Sequence, residues 1–153
     1  MEPRGASSGI SVRNQQEKRA IPAEFAARMA ASGEEALRLL VARYPDRVKP
    51  PGLVSVTLID DAEIGRVHGE FMGDPHPTDV ITFPYGEEGE ILISVETAER
   101  HALEYGASVE RELVLYLVHG LLHLCGYEDT TESGREEMAE LQEALVGEVF
   151  EAL

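Results

Sequence analysis

Tryptophan is absent from this sequence, cysteine occurs once, and no apolar run is long enough to cross a membrane. Without tryptophan, any stacking on nucleic-acid bases falls to five tyrosines and four phenylalanines. A single cysteine excludes an internal disulfide and is typical of a reducing compartment. The longest apolar run covers residues 113–127 and contains two histidines, whereas a transmembrane helix needs about 20 apolar residues.

The N-terminal residues are small and polar and lack the apolar segment of a secretory signal. We therefore expect a soluble cytoplasmic protein with no membrane partner. Residues 1–9 are expected to be disordered. Residues 10–153 are expected to form one domain, because 153 residues suit a single globular core.

Positive charge is scarce, with 13 Lys and Arg against 29 Asp and Glu and a net charge of −16. Residues 1–50 hold nine Lys and Arg against six acidic residues, whereas residues 51–153 hold four Arg against 23 acidic residues. An acidic surface repels nucleic-acid phosphates. Nucleic-acid binding would therefore need a local basic patch or a bound cation, and most of the acidic residues are interpreted as a solvated surface.

Hydrophobic patterning predicts an α+β domain in which helices pack against a small sheet. Alternating and β-branched segments predict strands at residues 10–14, 53–59, 79–83 and 90–95. Periodicity and capping residues predict helices at residues 22–44, 61–69, 96–105 and 108–125, and a last one from Thr131 or Ser133. Ser32 and Gly33 are candidates for a break in the first helix, and Pro84 for the end of the third strand.

The most informative feature is a pair of histidines four residues apart in an otherwise apolar helix. His119 and His123 share one helix face, with Cβ atoms about 5–6 Å apart. A buried imidazole without a partner costs roughly 1–3 kcal/mol, so two of them side by side indicate a shared ligand. A metal ion is the simplest such ligand.

Beyond the end of this helix the chain turns back, so that Glu128 or Asp129 can reach the same point. His119, His123 and Asp129 would give three ligands and one open position, which is the pattern of a catalytic zinc. Mn, Fe, Co and Ni accept the same donors. Gly120 stands where the H-E-x-x-H motif of metalloproteases has its general base, so peptide hydrolysis is not expected.

Two residues of the same helix leave alternatives open. Glu112 either accepts the second N–H of His119 or is exposed near the helix start, where the dipole favours it. Gly120 either admits substrate or neighbouring backbone, or serves helix–helix packing. Cys125 lies off the ligand face and is interpreted as core packing, and the remaining histidines are interpreted as core or surface residues: His68, His76 and His101.

The segment HGLLHLCGYED at residues 119–129, followed by Met138, resembles the H-G-x-L-H-L-x-G-Y-D-H signature of the YbeY family. PTDVITFP at residues 77–84 is similar to that family's P-T-D-V-L-S-F-P, and EILIS at residues 90–94 to its G-D-I-x-I-S strand. YbeY proteins are bacterial single-strand-specific endoribonucleases of rRNA maturation and ribosome quality control. The resemblance implies an α+β fold with a four-stranded mixed sheet, and one zinc ion held by three histidines.

The chain departs from the family pattern at four positions of the implied site. Asp129 replaces the third histidine, and Met72 replaces an arginine. His68 replaces an asparagine, and Glu128 an aspartate. Asp129 can still bind zinc, with one unit less charge at the site, but methionine cannot bind a phosphate as arginine does. The nearest candidates to supply that function are Arg66 and His68.

The leading hypothesis is a zinc-dependent, single-strand-specific endoribonuclease acting in rRNA maturation and ribosome quality control. His119, His123 and Asp129 would hold one zinc ion per chain, with His119 catalytic through the metal and Glu128 as the candidate base. Single-stranded RNA and rRNA are the expected substrates, the ribosome or its proteins the expected partners, and DNA is not expected. RNA is expected to approach along the more basic N-terminal third, with Arg13, Lys18 and Arg19.

Two alternatives stay open. One is a non-catalytic, ribosome-associated assembly factor with a structural metal, which the replaced arginine and histidine motivate. The other is a metallohydrolase of a different substrate, neutral or cationic to suit the acidic surface. Cleavage of single-stranded RNA with and without a chelator separates the first alternative from the nuclease.

Overall fold

A computed structural model describes residues 9–151 of the chain. The prediction of disorder for residues 1–8 falls outside the described residues, whereas Gly9 already belongs to the first strand. The elements follow in the order β1 (Gly9–Asn14), α1 (Ala23–Arg43), β2 (Leu53–Ile59), α2 (Asp61–Met72), β3 (Val80–Tyr85), β4 (Glu88–Ser94), α3 (Val95–Tyr105), α4 (Val109–Leu124) and α5 (Glu132–Glu151).

The four strands form one mixed sheet in the order β1-β2-β4-β3. β1, β2 and β4 are mutually parallel, and β3 is antiparallel to β4. A two-residue turn, Gly86 and Glu87, joins β3 to β4, and Gly86 takes a positive φ of 69° there. The predictions of an α+β fold, of five helices and of a four-stranded mixed sheet are confirmed.

Alternating side chains of the strands divide the apolar core between the two faces of the sheet. Ile91 and Ile93 of β4 belong to the larger core, which also contains buried residues of α1, α4 and α5. Leu92, between them, belongs to a smaller core with Ile64 and Val67 of α2. The helix with the histidine pair therefore lies on the larger-core face of the sheet, and α2 lies on the other.

Two expected breaks are wrong. α1 runs unbroken through Ser32 and Gly33. Gly33 serves packing instead, because a Cβ at this position would lie only 2.7 Å from Cδ1 of Ile10, and its absence lets the helix approach β1. β3 continues through Pro84 to Tyr85. The missing N–H of Pro84 is tolerated because β3 is an edge strand.

The second helix is longer than predicted. Asp60 caps its start by accepting a hydrogen bond from the Glu63 amide at 2.8 Å, and the helix continues to Met72, where Gly73 ends it with a φ of 74°. Within residues 9–151, no helix combines the length and the apolar character that a membrane crossing requires.

Candidate metal centre

Helix α4 carries both histidines and is bounded by the residues that the sequence indicates. The Ser108 hydroxyl accepts the Arg111 amide N–H at 3.1 Å at the N-terminus. At the C-terminus, Gly126 takes a φ of 104° and donates to the His123 carbonyl, while the Tyr127 N–H donates to the Leu122 carbonyl. This pair of hydrogen bonds is a Schellman motif, and it turns the chain back towards the histidines.

The loop after α4 is held in place by close packing. Tyr127 is buried, and the guanidinium carbon of Arg47 lies 3.9 Å above its ring centroid. The Thr131 hydroxyl caps α5 by accepting the Gly134 N–H at 3.0 Å. A Cβ at Gly134 would overlap the Glu128 carbonyl oxygen, so glycine permits the loop to lie where it does. Asp129 is thereby brought back beside α4.

The structure brings His119, His123 and Asp129 together in a small triangle. The two Nε2 atoms lie 3.2 Å apart, and Oδ2 of Asp129 lies 3.7 Å from His119 Nε2 and 3.5 Å from His123 Nε2. Bonds of about 2.0–2.1 Å to a tetrahedral zinc place two ligand atoms roughly 3.3–3.4 Å apart. The spacing of the three atoms therefore matches a tetrahedral metal site.

Hydrogen bonds at the far side of each imidazole explain why the Nε2 atoms face one another. Nδ1 of His119 donates to the side-chain oxygen of Gln142 at 2.8 Å, and Nδ1 of His123 donates to the Tyr127 carbonyl at 3.1 Å. Because both acceptors lack a proton, each neutral ring keeps its proton on Nδ1 and presents a lone pair at Nε2. Two such lone pairs and a carboxylate oxygen at these distances repel one another, and a cation bound between them would offset that repulsion.

The donor set therefore fits a metal ion. Two imidazoles and a carboxylate suit zinc, and also other divalent transition metals. The ligand atoms all lie within 4.8 Å of one another, and the side chains are partly rather than fully buried, so that a fourth position can open to the cleft.

An open cleft of about 580 Å³ adjoins the three residues. Residues of β3 and its preceding loop, the end of α2 and the loop after α4 line it, and Glu128 is among them. Among the described residues that line the cleft there is no Arg or Lys, whereas Asp79, Glu128 and Asp129 are acidic. The cleft itself thus offers no permanent positive charge to a phosphate.

Of the two candidates to replace the missing arginine, only His68 reaches the cleft. Arg66 is bound by Glu63 at 2.7 Å and Glu70 at 3.4 Å and does not line it. His68 lines the cleft, as does Met72, and its Nδ1 donates to the His76 carbonyl at 2.8 Å. Nδ1 is the only ring nitrogen of His68 that is hydrogen-bonded among residues 9–151.

The loop that holds His68 rests on a glycine face of α2. A Cβ at Gly65 would lie 2.8 Å from the Pro75 carbonyl oxygen, and one at Gly69 would lie 3.2 Å from Cα of Pro75. The absence of side chains at these positions lets the loop approach α2 closely. His76 is in this way placed beside His68.

The basic residues of the N-terminal third are not brought to the cleft. β1 and β3 are opposite edges of the sheet, and none of the three residues lines the cleft, which adjoins β3: Arg13, Lys18 and Arg19. Arg19 instead forms an ion pair with Glu99 at 3.0 Å. The expectation that RNA approaches along these residues is wrong for the cleft.

Sequence reasoning missed Gln142, which takes the role considered for Glu112. Neither interpretation of Glu112 holds, since its side chain is not bonded to His119 among the described residues and it is only 6% exposed. Burial raises the pKa of the Glu112 carboxyl. A signal for Gln142 did exist, because it is a polar residue within the apolar stripe of α5 between Met138 and Val149.

Gly120 and Cys125 have packing roles. A Cβ at Gly120 would lie 2.8 Å from Cδ1 of Ile91, so the glycine permits close packing of α4 on the sheet, rather than on another helix or on a substrate. Cys125 is buried, as interpreted, and burial raises the pKa of its thiol to about 11. His101 does not line the cleft. Its Nδ1 lies 2.6 Å from the Tyr116 hydroxyl.

Comparison with known proteins points to one family. The family described as Endoribonuclease YbeY matches residues 11–149. The chain is 38% identical over 138 residues to Endoribonuclease YbeY of Moorella thermoacetica, covering 76% of this chain and 88% of that protein. It is 40% identical over 111 residues to Endoribonuclease YbeY of Desulfitobacterium hafniense, covering 63% of this chain and 71% of the relative.

A solved structure agrees with this assignment of the fold. The solution structure of TM1509 from Thermotoga maritima superposes with a TM-score of 0.66 at 28% sequence identity. The match covers 94% of this chain and 90% of that one.

Proposed function

Because this chain belongs to the Endoribonuclease YbeY family, we propose that it is a metal-dependent nuclease that cleaves RNA in the cleft beside α4. The observation that carries the proposal is the triangle of His119, His123 and Asp129, whose ligand atoms are separated by 3.2–3.7 Å. These three residues are the proposed metal ligands, with one zinc ion per chain.

A bound zinc ion would acidify a water molecule and offset charge on a phosphoryl oxygen. Asp129 leaves the site with one positive charge less than a third neutral imidazole would. Gln142 and the Tyr127 carbonyl hold the two imidazoles with Nε2 directed inward, and such supporting hydrogen bonds also raise the basicity of the ligands.

Two further cleft residues are assigned roles towards the substrate. Glu128 is exposed on the cleft wall, and we assign its carboxylate the role of accepting the proton of the attacking water. His68 lines the cleft with its Nδ1 bonded to the His76 carbonyl, and we assign its Nε2 the role of hydrogen-bonding to the RNA. Neither role requires the arginine that Met72 replaces.

The proposed substrate is single-stranded rRNA. Its cleavage would serve rRNA maturation and ribosome quality control in the cytoplasm. DNA and membranes are not proposed partners. A cleft without Arg or Lys supports the idea that affinity comes in part from a partner such as the ribosome.

A cleavage assay tests the proposal. Purified protein loaded with zinc should cut a single-stranded oligoribonucleotide and leave the matching duplex and single-stranded DNA intact, and a chelator should abolish cleavage. His119→Ala and His123→Ala should lose both zinc and activity, whereas the control His101→Gln, on α3 outside the cleft, should keep both.

Two results would contradict the nuclease. Absent cleavage by a protein that holds stoichiometric metal would favour the non-catalytic assembly factor, and cleavage that survives the chelator would contradict the metal dependence. Equal zinc content in the wild type and in His119→Ala would remove the proposed metal site.

A further inference from the structure

We propose that Phe71, Phe83 and Tyr85 form an aromatic row on which bases of the bound RNA strand stack. The inference rests on the proposed function, since it assigns a binding surface to the RNA that occupies the cleft. The described residues that line the cleft include no Arg or Lys, so stacking on the rings would supply binding that ionic side-chain contacts in the cleft do not.

The three rings are in contact along the outer part of the sheet. The ring centroids of Phe71 and Phe83 lie 5.3 Å apart at an interplanar angle of 67°, and those of Phe83 and Tyr85 lie 6.4 Å apart at 18°. Phe83 packs against the smaller core and so anchors the row. The Tyr85 hydroxyl donates to the Glu90 carboxylate at 3.4 Å, which orients the outer ring.

The two outer rings are largely exposed to solvent. Phe71 is 63% exposed and Tyr85 is 60% exposed, although both lie next to an apolar core that could have covered them. Contiguous exposed apolar side chains are more often interaction sites than isolated ones are, and the three rings of the row touch one another.

The row and the cleft lie on opposite faces of the edge strand β3, because neighbouring residues of a strand point to opposite faces, and they approach each other at that edge and at the end of α2. Met72 directly follows Phe71 at the end of α2, and Pro84 stands between Phe83 and Tyr85 in β3. Met72 and Pro84 both line the cleft. A strand of RNA that leaves the cleft and passes around the outer edge of β3 would therefore meet the rings.

The edge of β3 is unsuited to a protein strand. Within residues 9–151, β3 pairs only with β4, which leaves its outer edge free. Pro84 has no N–H to donate, and prolines on edge strands oppose the addition of another strand. An extended peptide, or a strand of a second copy, is therefore poorly suited to pair with this edge.

Charge also favours stacking as the mode of binding. The chain carries a net charge of −16, and the described cleft-lining residues include no Arg or Lys. Stacking of bases on aromatic rings stabilises complexes without any positive charge. Only unpaired bases expose their faces to protein rings, so such a row would select single strands over duplexes.

The test measures binding and turnover separately on the full-length protein. Fluorescence anisotropy with a labelled single-stranded oligoribonucleotide, in the presence of chelator, reports affinity without cleavage. Steady-state cleavage by the zinc-loaded protein reports KM and kcat. The variants are Phe71→Ala and Tyr85→Ala, with Phe71→Tyr and Tyr85→Phe as the versions that retain a ring.

The matched control is Tyr105→Ala, because Tyr105 is 72% exposed on α3 and lies outside the cleft and the row. Each alanine substitution in the row should weaken RNA binding roughly 5- to 150-fold, the range for loss of one base–aromatic stack. KM should rise with kcat little changed, and the ring-retaining variants and Tyr105→Ala should match the wild type. The salt dependence of Kd should be unaltered, since no charge is removed.

Unchanged Kd and KM in both alanine variants, with cleavage intact, would overturn the row and leave the proposed nuclease standing. A change of oligomeric state in the variants without a change in RNA binding would overturn it in favour of an interface between copies. If the metal-free protein binds no RNA, the KM values alone test the stacking: a higher KM in the alanine variants supports it, and an unchanged KM contradicts it. A wild type that neither binds nor cleaves single-stranded RNA overturns the row together with the proposed function.

Discussion

His119 on α4 donates its Nδ1 proton to the side-chain oxygen of Gln142 on α5, across a distance of 2.8 Å. This hydrogen bond joins two helices through residues that are 23 positions apart in the chain. It also decides which nitrogen of His119 faces His123 and Asp129. The orientation of the candidate metal site therefore depends on the packing of the last helix.

Replacing Gln142 should weaken metal binding. Gln142→Leu keeps the side chain's approximate size but leaves the Nδ1 proton of His119 without its acceptor, and loss of such a partner typically lowers metal affinity 10- to 100-fold. Competition with a chromophoric chelator measures the change. Gln142→Glu retains an acceptor and should bind zinc at least as tightly as the wild type, so equal weakening in both variants would contradict the role.

Asp129 should contribute directly to the same affinity. Asp129→Ala removes a ligand and should cost more than the roughly 10- to 100-fold expected for a supporting hydrogen bond. Asp129→His offers an imidazole in its place and should preserve or raise the affinity. The zinc content of the three purified proteins checks this, and identical content in all of them would exclude Asp129 as a ligand.

Gly120 should matter for stability because α4 packs closely on the sheet there. In Gly120→Ala, overpacking against Ile91 costs about 1–3 kcal/mol, which outweighs the roughly 1 kcal/mol that alanine gains in a helix. The urea midpoint should fall. Gly147→Ala on α5 is the matched control, since nothing lies within 4 Å of its added Cβ, and its midpoint should rise. Equal shifts in the two variants would refute the packing explanation.

Glu112 should make stability depend on pH. Burial raises the pKa of its carboxyl above the ordinary value of 4.5, so the folded state binds the proton more tightly than the unfolded state. The stability contributed by the protonated carboxyl is fully present below pH 4.5 and is lost as pH rises through the folded-state pKa. The groups whose charges act on Glu112 are His101, Arg111, Glu143 and Asp79.

Glu112→Gln should accordingly stabilise the protein at neutral pH and have little effect near pH 4. Thermal unfolding followed across this range by circular dichroism measures the difference. Glu110→Gln, at an exposed position of the same helix, should shift the curve little at any pH. A stabilisation by Glu112→Gln that is equally large at pH 4 would argue against the burial of a charge as its cause.

The sequence allowed the local part of the site to be predicted. The histidine pair, the cap at Ser108 and the turn at Gly126 are all set by residues within about five turns of helix, and Asp129 follows directly. Spacing along α4 and the return of the chain are local properties, so periodicity and capping suffice to infer them.

Other features depend on which elements become neighbours, and the sequence does not state this directly. Gln142 acts through the packing of α5 on α4. The acceptance of Pro84 within β3 depends on that strand being at an edge, and the distance of Arg13 from the cleft depends on the strand order. The excess of basic residues in the N-terminal third can be counted in the sequence, but the sequence does not show which face of the fold carries these residues.

The three candidate ligands lie within eleven consecutive residues. An ion that bridges them closes only a short loop of unfolded chain, and closing a short loop removes little chain entropy. None of the three ligands belongs to the buried apolar core on either face of the sheet. A metal ion should then stabilise the fold by mass action alone, about 1.4 kcal/mol for each tenfold excess over its Kd. The ion can thus leave and return while the protein stays folded, so activity would follow the free metal concentration around it.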